Sequence, residues 1–348
     1  MDMVRFGILG AGTRAKELQP HFSRPEHGLH ITAVADSWAE AFDQLRLATN
    51  IRTFADCQSL YASPDIDVVV ITTPDFMHEE HACAALDAGK HVYIEKPMAI
   101  TPEGCDRIME AARRNGRVAY VGHNMRHFAA VRKMKELIEA GAVGEVRAIT
   151  YRHAVSYGRW AFFREDRWQQ KRTNVGSLLV HKGSHDLDII HWFGGGRPKR
   201  VVAMGELAVW GNEPGKPDVE DVSSVLIRLS NGVEATYHQC HFAFRSSREC
   251  VVYGTEGQLE GELDVFTDMS VRLYQKRGRH LLGELPGEWH FERETFHTQA
   301  DRRTVDEFVG VLRGTTATIS IEDAAWAVKA GCAATMSLRE GNRAIDIP

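Results

Sequence analysis

Between residues 4 and 121, short apolar, β-branched runs alternate with stretches whose apolar positions recur at helical spacing. The runs at 4–9, 31–35, 67–72, 91–94 and 118–121 predict strands, and the stretches at 15–22, 38–49, 79–88 and 102–115 predict helices. The run DVVVIT at 67–72 is nearly continuous in apolar character, as a strand covered on both faces requires. Gly89 and Gly116 follow two of the helices, where a left-handed C-cap suits glycine. Pro102 opens the last helix, at the position where a missing N–H costs nothing. Strands spaced by helices predict a parallel sheet covered on both faces.

Beyond residue 145 the rhythm changes. Strands are predicted at 146–153, 200–209, 222–229, 234–242, 250–253, 258–263 and 271–275. Ser230-Asn231-Gly232 supplies a hairpin turn between two of them, and residues 254–257 supply another. Successive strands joined by short turns predict a largely antiparallel sheet. Helical patterns interrupt it at 127–140, about 176–193, 301–313 and 321–339. The economical reading is two domains sharing a cleft, residues 1–123 and 124–348, with the junction near 122–127.

The chain has 348 residues, enough for two cores. Its formal charge is 42 − 47 = −5, with no basic run, so neither nucleic acid nor a membrane surface is an expected partner. The apolar N-terminal run is short and leads into glycines, which suits a strand better than a signal peptide. Six cysteines without a C-x-x-C pair read as reduced thiols, and a cytoplasmic protein is expected.

Candidate chemistry begins at Gly10-x-Gly12-x-x-Ala15, directly after the first strand and opening a helix. Glycines there allow a tight turn and close approach of a pyrophosphate to helix N–H groups. Asp36 closes the second strand, where a carboxylate accepts from both ribose hydroxyls and repels a 2′-phosphate; Ser37 and Trp38 follow, with no arginine, so NAD is expected over NADP. Thr13, Arg14 and Ser37 are further candidate cofactor contacts. The third apolar strand ends in Thr72-Thr73-Pro74, with His78 four residues on, and the next ends in Glu95-Lys96-Pro97. Ligands of open α/β sheets bind beyond the carboxyl ends of strands, so these segments should converge on one crevice.

This set of residues resembles the Gfo/Idh/MocA oxidoreductases, named after glucose–fructose oxidoreductase and inositol dehydrogenase. The resemblance rests on Gly10-Ala11-Gly12, Thr73-Pro74 with His78, Glu95-Lys96-Pro97, Asn124-x-Arg126 and the segment GSLLVHKGSHDLDIIHWF at 176–193, and it covers nearly the whole chain. It implies an α/β plus α+β protein: an N-terminal Rossmann parallel sheet, then a C-terminal domain on a large open, mostly antiparallel sheet. Pairing through the open sheet face implies a homodimer or homotetramer. It also implies that Lys96 lies by the nicotinamide and the substrate, with Asn124 toward the cofactor. The family helix carries an aspartate and, four residues later, a histidine; His185 matches the histidine, while His181 stands where the aspartate is expected.

His181, His185 and Asp188 fall on one face of the predicted helix, which Trp192 continues. That face is expected to line a sugar pocket, with Arg126 and His153 as further contacts. His-x-x-x-His can ligate zinc, but the resemblance brings no metal and none is expected. The segment 152–172 places Tyr157, Trp160, Phe162, Phe163 and Trp168 among Arg164, Arg167, Lys171 and Arg172. Tyr157, Arg164 and Trp168 are its candidates for stacking on, or hydrogen bonding to, a sugar-like substrate.

The expected reaction is hydride transfer between a carbinol carbon of a sugar, polyol or sugar derivative and the nicotinamide of NAD(H). Lys96 is the expected acid/base, assisted by His185, with His181 the third catalytic candidate. An amine takes a proton near neutral pH only where its cation is disfavoured, as partial burial and a positive nicotinamide would do. Glu95 should therefore turn away from the ammonium. Two alternatives remain: an NAD-dependent glycosidase or lyase that oxidises transiently with no net redox change, and a non-enzymatic nucleotide- or sugar-sensing regulator.

Overall fold

A computed structural model of the chain describes residues 3–45, 51–156, 168–212, 217–264, 266–277, 280–293 and 298–348. The chain divides into two compact units, Met1–His123 with Asp301–Ala325, and Asn124–Ala300 with Trp326–Pro348. The return of 301–325 to the first unit is not visible in the strand–helix rhythm, which suggests one boundary only.

The first unit is built on six parallel strands in the order β3-β2-β1-β4-β5-β6. They are β1 (Val4–Leu9), β2 (Leu29–Ala35), β3 (Arg52–Phe54), β4 (Val68–Ile71), β5 (His91–Ile94) and β6 (Ala119–Val121). Helices α1 (Thr13–Phe22), α2 (Cys57–Ala62), α3 (His78–Asp87) and α4 (Pro102–Asn115) alternate with them. All four residues of β4 are fully buried; at about 1.5–3 kcal/mol for each buried branched aliphatic side chain, this central strand anchors the sheet. Thr101 caps α4 by accepting the N–H of Gly104, and Gly116 ends it at φ +60°. Of the helix predicted at 38–49, the described part forms a 3₁₀ turn at Ala39–Gln44, and 46–49 lie outside the described residues. β3 and α2 are too short and polar to show in the hydrophobic pattern.

The second unit holds a nine-stranded sheet in the order β14-β13-β12-β11-β7-β10-β9-β8-β15. Its strands are β7 (Val146–Ser156), β8 (Pro198–Glu206), β9 (Val222–Leu229), β10 (Glu234–Ala243), β11 (Ser247–Gly254), β12 (Gly257–Glu262), β13 (Met269–Arg277), β14 (His280–Phe291) and β15 (Ile345–Asp346). Only β7 and β10 pair in parallel. Alternation is strict on β9 and β10: Val225, Ile227, Ala235 and Tyr237 are buried, while Ser224, Leu226, Arg228 and Thr236 are exposed. Helix α5 (Ala129–Glu139) packs on β12–β14. Three further helices follow: α6 (Arg172–Val175), α7 (Leu178–His181) and α8 (Gly183–Gly194), the last packing on β7 and β10. α9 (Thr298–Leu312) and α10 (Ile321–Arg339) complete the fold.

The helix predicted over 176–193 is broken at Lys182, so His181 ends one helix and His185 lies in the first turn of the next. Gly183 opens α8 against Tyr237, whose ring a Cβ there would meet at 3.4 Å.

Candidate functional site: a nucleotide crevice and a histidine helix

The sheet of the first unit reverses its order between β1 and β4, the point where open α/β sheets bind ligands. The turn after β1 is shaped by two glycines with different duties. Gly10 has φ +92°, and a Cβ on it would sit 2.9 Å from the backbone N of Thr73. Gly12 caps α1 without a side-chain hydrogen bond, and a Cβ there would meet nothing within 4 Å. That leaves an open cradle beside the uncapped first turn of a helix, which fits a pyrophosphate. Asp36 lies at the adjacent strand end. Its carboxylate accepts the N–H of Ala11 at 2.7 Å and that of Trp38 at 2.8 Å. It therefore ties the glycine turn to the end of β2 and does not cap a helix. Thr13 and Ser37 are exposed beside this turn.

The same edge continues through the next two strand ends. Thr72 Oγ1 donates to the Gly10 carbonyl at 2.7 Å. The buried ring of His78 places Nε2 2.9 Å from the Thr73 carbonyl and Nδ1 2.7 Å from the Pro97 carbonyl. Each ring nitrogen of His78, an expected cofactor contact, thus faces a backbone carbonyl; a neutral ring donates to one of the two and an imidazolium to both. Glu95 is buried and Lys96 half-buried, and the Lys96–Pro97 peptide bond is cis. The Glu95 carboxylate meets Arg14 Nε at 2.8 Å and the backbone N–H of Lys96 at 3.2 Å. Arg14 also forms a two-point pair with Asp301, both contacts 2.7 Å. Burial works against the Arg14 charge, but Glu95 and Asp301 outweigh it and raise its pKa. Asp301 lies far along the chain, and no sequence spacing signals it.

In the second unit the helix residues separate into two groups. Arg126 and Asp188 face each other in a two-point pair at 2.8 and 2.7 Å, each side chain about 1% exposed. Arg126 also stacks over Trp192 at 4.7 Å. A carboxylate and a guanidinium closed on each other inside the core hold the helix, and these are the two residues expected as substrate contacts. His181 packs edge-on against Trp168, ring centroids 5.6 Å apart, and His185 is half-buried. Asn124 is buried and belongs to this unit. Tyr157, Trp160, Phe162, Phe163, Arg164 and Arg167 lie outside the described residues.

Beneath α8 the inner sheet face turns polar. Register aligns Val225, Tyr237, Tyr151 and Cys250 in one row, and Ser223, Gln239, His153 and Arg248 in the next. Asp186, next to His185 and fully buried, is the hub of these rows. Its Oδ2 lies 2.8 Å from His153 Nδ1 and accepts the Tyr237 O–H at 2.7 Å; Oδ1 lies 2.9 Å from Arg248 Nε. Burial opposes the Asp186 charge, but Arg248 and His153 prevail and draw its pKa down to about 2. Burial, then Arg248, lowers the pKa of His153 despite Asp186. His153, expected to meet substrate, is thereby committed to this network. Sequence reading misses Asp186, Tyr237 and Arg248, because strand order cannot be read from spacing. Among the described residues no group of three histidines, cysteines or acids is placed to hold a metal.

A Rossmann sheet with an open glycine cradle and a strand-end aspartate, followed by a histidine-bearing sheet-and-helix unit, defines a nucleotide-dependent oxidoreductase. Residues 4–123 match the family model described as oxidoreductase family, NAD-binding Rossmann fold, and 131–260 match the GFO/IDH/MocA C-terminal domain. The chain is 30% identical over 286 residues to the 1,5-anhydro-D-fructose reductase of Ensifer adhaerens, covering 82% of this chain and 83% of the relative. It is 28% identical over 261 residues to a 2,7-anhydro-N-acetylneuraminate hydratase of Mediterraneibacter gnavus, covering 75% and 67%. Across the first three curated relatives the match spans 64% to 83% of their length. The fold is that of a levoglucosan dehydrogenase solved with NADH and levoglucosan, with a TM-score of 0.81, 22% identity and full coverage of both chains. The chain belongs to the Gfo/Idh/MocA oxidoreductase family, and its first unit is the NAD-binding domain of that family.

Proposed function

We propose that the protein is an NAD(H)-dependent oxidoreductase acting at a carbinol carbon of a sugar, polyol or sugar derivative. The observation that carries this reading is the continuous edge of the first unit, from the Gly12 cradle and Asp36 through Thr72 and His78 to Lys96. Bound NAD(H) supplies the hydride acceptor or donor. The glycine turn and first helical turn receive the pyrophosphate, Asp36 the ribose hydroxyls, and Arg14 with Glu95 braces that turn. Lys96 takes the hydroxyl proton as the carbinol is oxidised and returns it on reduction. In the second unit, His185 is the candidate assistant in proton transfer, and His181 and Trp168 are the candidates for substrate contact. The relative named as an anhydrofructose reductase supports a sugar-like substrate.

A second reading keeps the same residues and oxidises only transiently, with no net redox change. The hydratase relative favours it. The two readings separate on nucleotide use: the first consumes NAD⁺ or NADH in proportion to product, while the second turns over with nucleotide retained from purification and none added. For either reading, a screen of anhydro sugars, inositols and aldoses with NAD⁺ and NADH, followed by reduced-nicotinamide absorbance and by NMR of the product, is the test. No conversion of any member by a nucleotide-loaded protein would count against both.

The assembly proposed is a homodimer or homotetramer through the uncovered face of the nine-stranded sheet, where Met204 is 63% and Leu226 58% exposed. The compartment proposed is the cytoplasm, in keeping with six free cysteines.

A further inference from the structure

The His78 ring bridges two backbone carbonyls that belong to different loops. One, Thr73, lies in the loop after β4 that touches the glycine turn; the other, Pro97, follows Lys96 directly. His78 is 1% exposed and opens α3, so its backbone is held by the helix while its side chain spans the loops. We propose that His78 is a positioning residue, which fixes Lys96 relative to the nucleotide loop by clamping both loops to the start of α3. This rests on the reading of Lys96 as the acid/base.

The physical case is one of lever arms. The Gly10 turn, Thr72 and Thr73 form one block: Thr72 Oγ1 bonds the Gly10 carbonyl, and Gly10 approaches Thr73 too closely to admit a Cβ. Glu95 is tied to the same turn through Arg14, which is itself paired with Asp301. On the other side of Lys96, before the buried Met98 and Ala99, the Pro97 carbonyl faces His78 Nδ1 at 2.7 Å, which adds a second anchor to the Lys96 N–H contact with Glu95. A displacement at Thr73 reaches Pro97 through one rigid ring. No flexible side chain intervenes, and a shift of about 1 Å at a reacting group costs on the order of 10²-fold in rate.

The test reads Lys96 itself. The purified protein is labelled with an amine-reactive reagent at limiting dose, and Lys96 modification is timed by peptide mass spectrometry, with the exposed Lys199 as internal reference. His78→Leu should raise the Lys96 rate about tenfold over wild type, the equilibrium weight of one to two net hydrogen bonds, while Lys199 is unchanged. His78→Asn, which keeps a short donor, should fall between the two and covers the case in which the leucine variant does not fold. A Lys96 rate within about twofold of wild type in a folded variant overturns the proposal. Repeating the wild-type measurement with saturating NADH tests the functional reading separately. Protection of Lys96 is expected, and its absence counts against Lys96 as a nicotinamide neighbour, whatever His78 does.

Discussion

At the residue scale the account turns on single side chains whose surroundings decide their use. Lys96→Ala should lower turnover by at least about 10²-fold, the contribution of a positioned acid/base. NADH binding, measured by fluorescence titration, should survive, because the cradle and Asp36 are untouched. Asp36→Ala should erase the preference for NAD over NADP, since it removes the charge that opposes a 2′-phosphate; an unchanged ratio of the two affinities would take that role away. The sequence makes Lys96, Asp36 and the glycines legible because each ends a strand of a parallel sheet, and strand ends can be counted. It does not make Asp301 legible, nor the use of Arg14 and Glu95 as each other's partners, because those contacts join segments distant in the chain.

At the element scale the buried carboxylates beneath and within α8 decide stability and placement. Arg126→Met leaves Asp188 buried without that cation and should cost about 3–5 kcal/mol in urea unfolding. Arg126→Met combined with Asp188→Leu should recover most of it, because both charges then leave the core. Asp186 supplies a pH signature. Its pKa is lowered from 3.8 to about 2 in the folded state. The stabilisation it gives is therefore complete above the unfolded value and is lost as pH falls from about 4 toward 2. At ~1.36 kcal/mol per unit this is ~2 kcal/mol, read as the difference in acid unfolding between wild type and Asp186→Asn. The pattern Ser-His-Asp-Leu-Asp announces a polar helix but not its division of labour. Which carboxylate meets Arg126 and which meets His153 depends on the break at Lys182 and on the parallel pairing of β7 with β10. Neither is written in local periodicity.

At the scale of the whole molecule, two sheets of opposite habit come from two hydrophobic rhythms. Continuous apolar strands make the parallel sheet, and alternating ones leave one face of the nine-stranded sheet exposed. An exposed face bearing Leu226 and Met204 predicts self-association. Leu226→Lys should shift the protein toward monomer in light scattering coupled to size exclusion, and a wild type that is already monomeric would remove the proposed assembly. The late return of Asp301–Ala325 to the first unit stays hidden from sequence because a helix in one unit reads like a helix in the other. The central claim is hydride transfer by NAD(H) with Lys96 as acid/base. Its most direct test is to give wild type and Lys96→Ala, each loaded with equal NADH, a panel of anhydro sugars and keto-inositols, and to follow the loss of reduced-nicotinamide absorbance in a single turnover. The account predicts that wild type oxidises its bound NADH with at least one member while Lys96→Ala, equally loaded, does so at least about 10²-fold more slowly. Equal rates in the two proteins would contradict it.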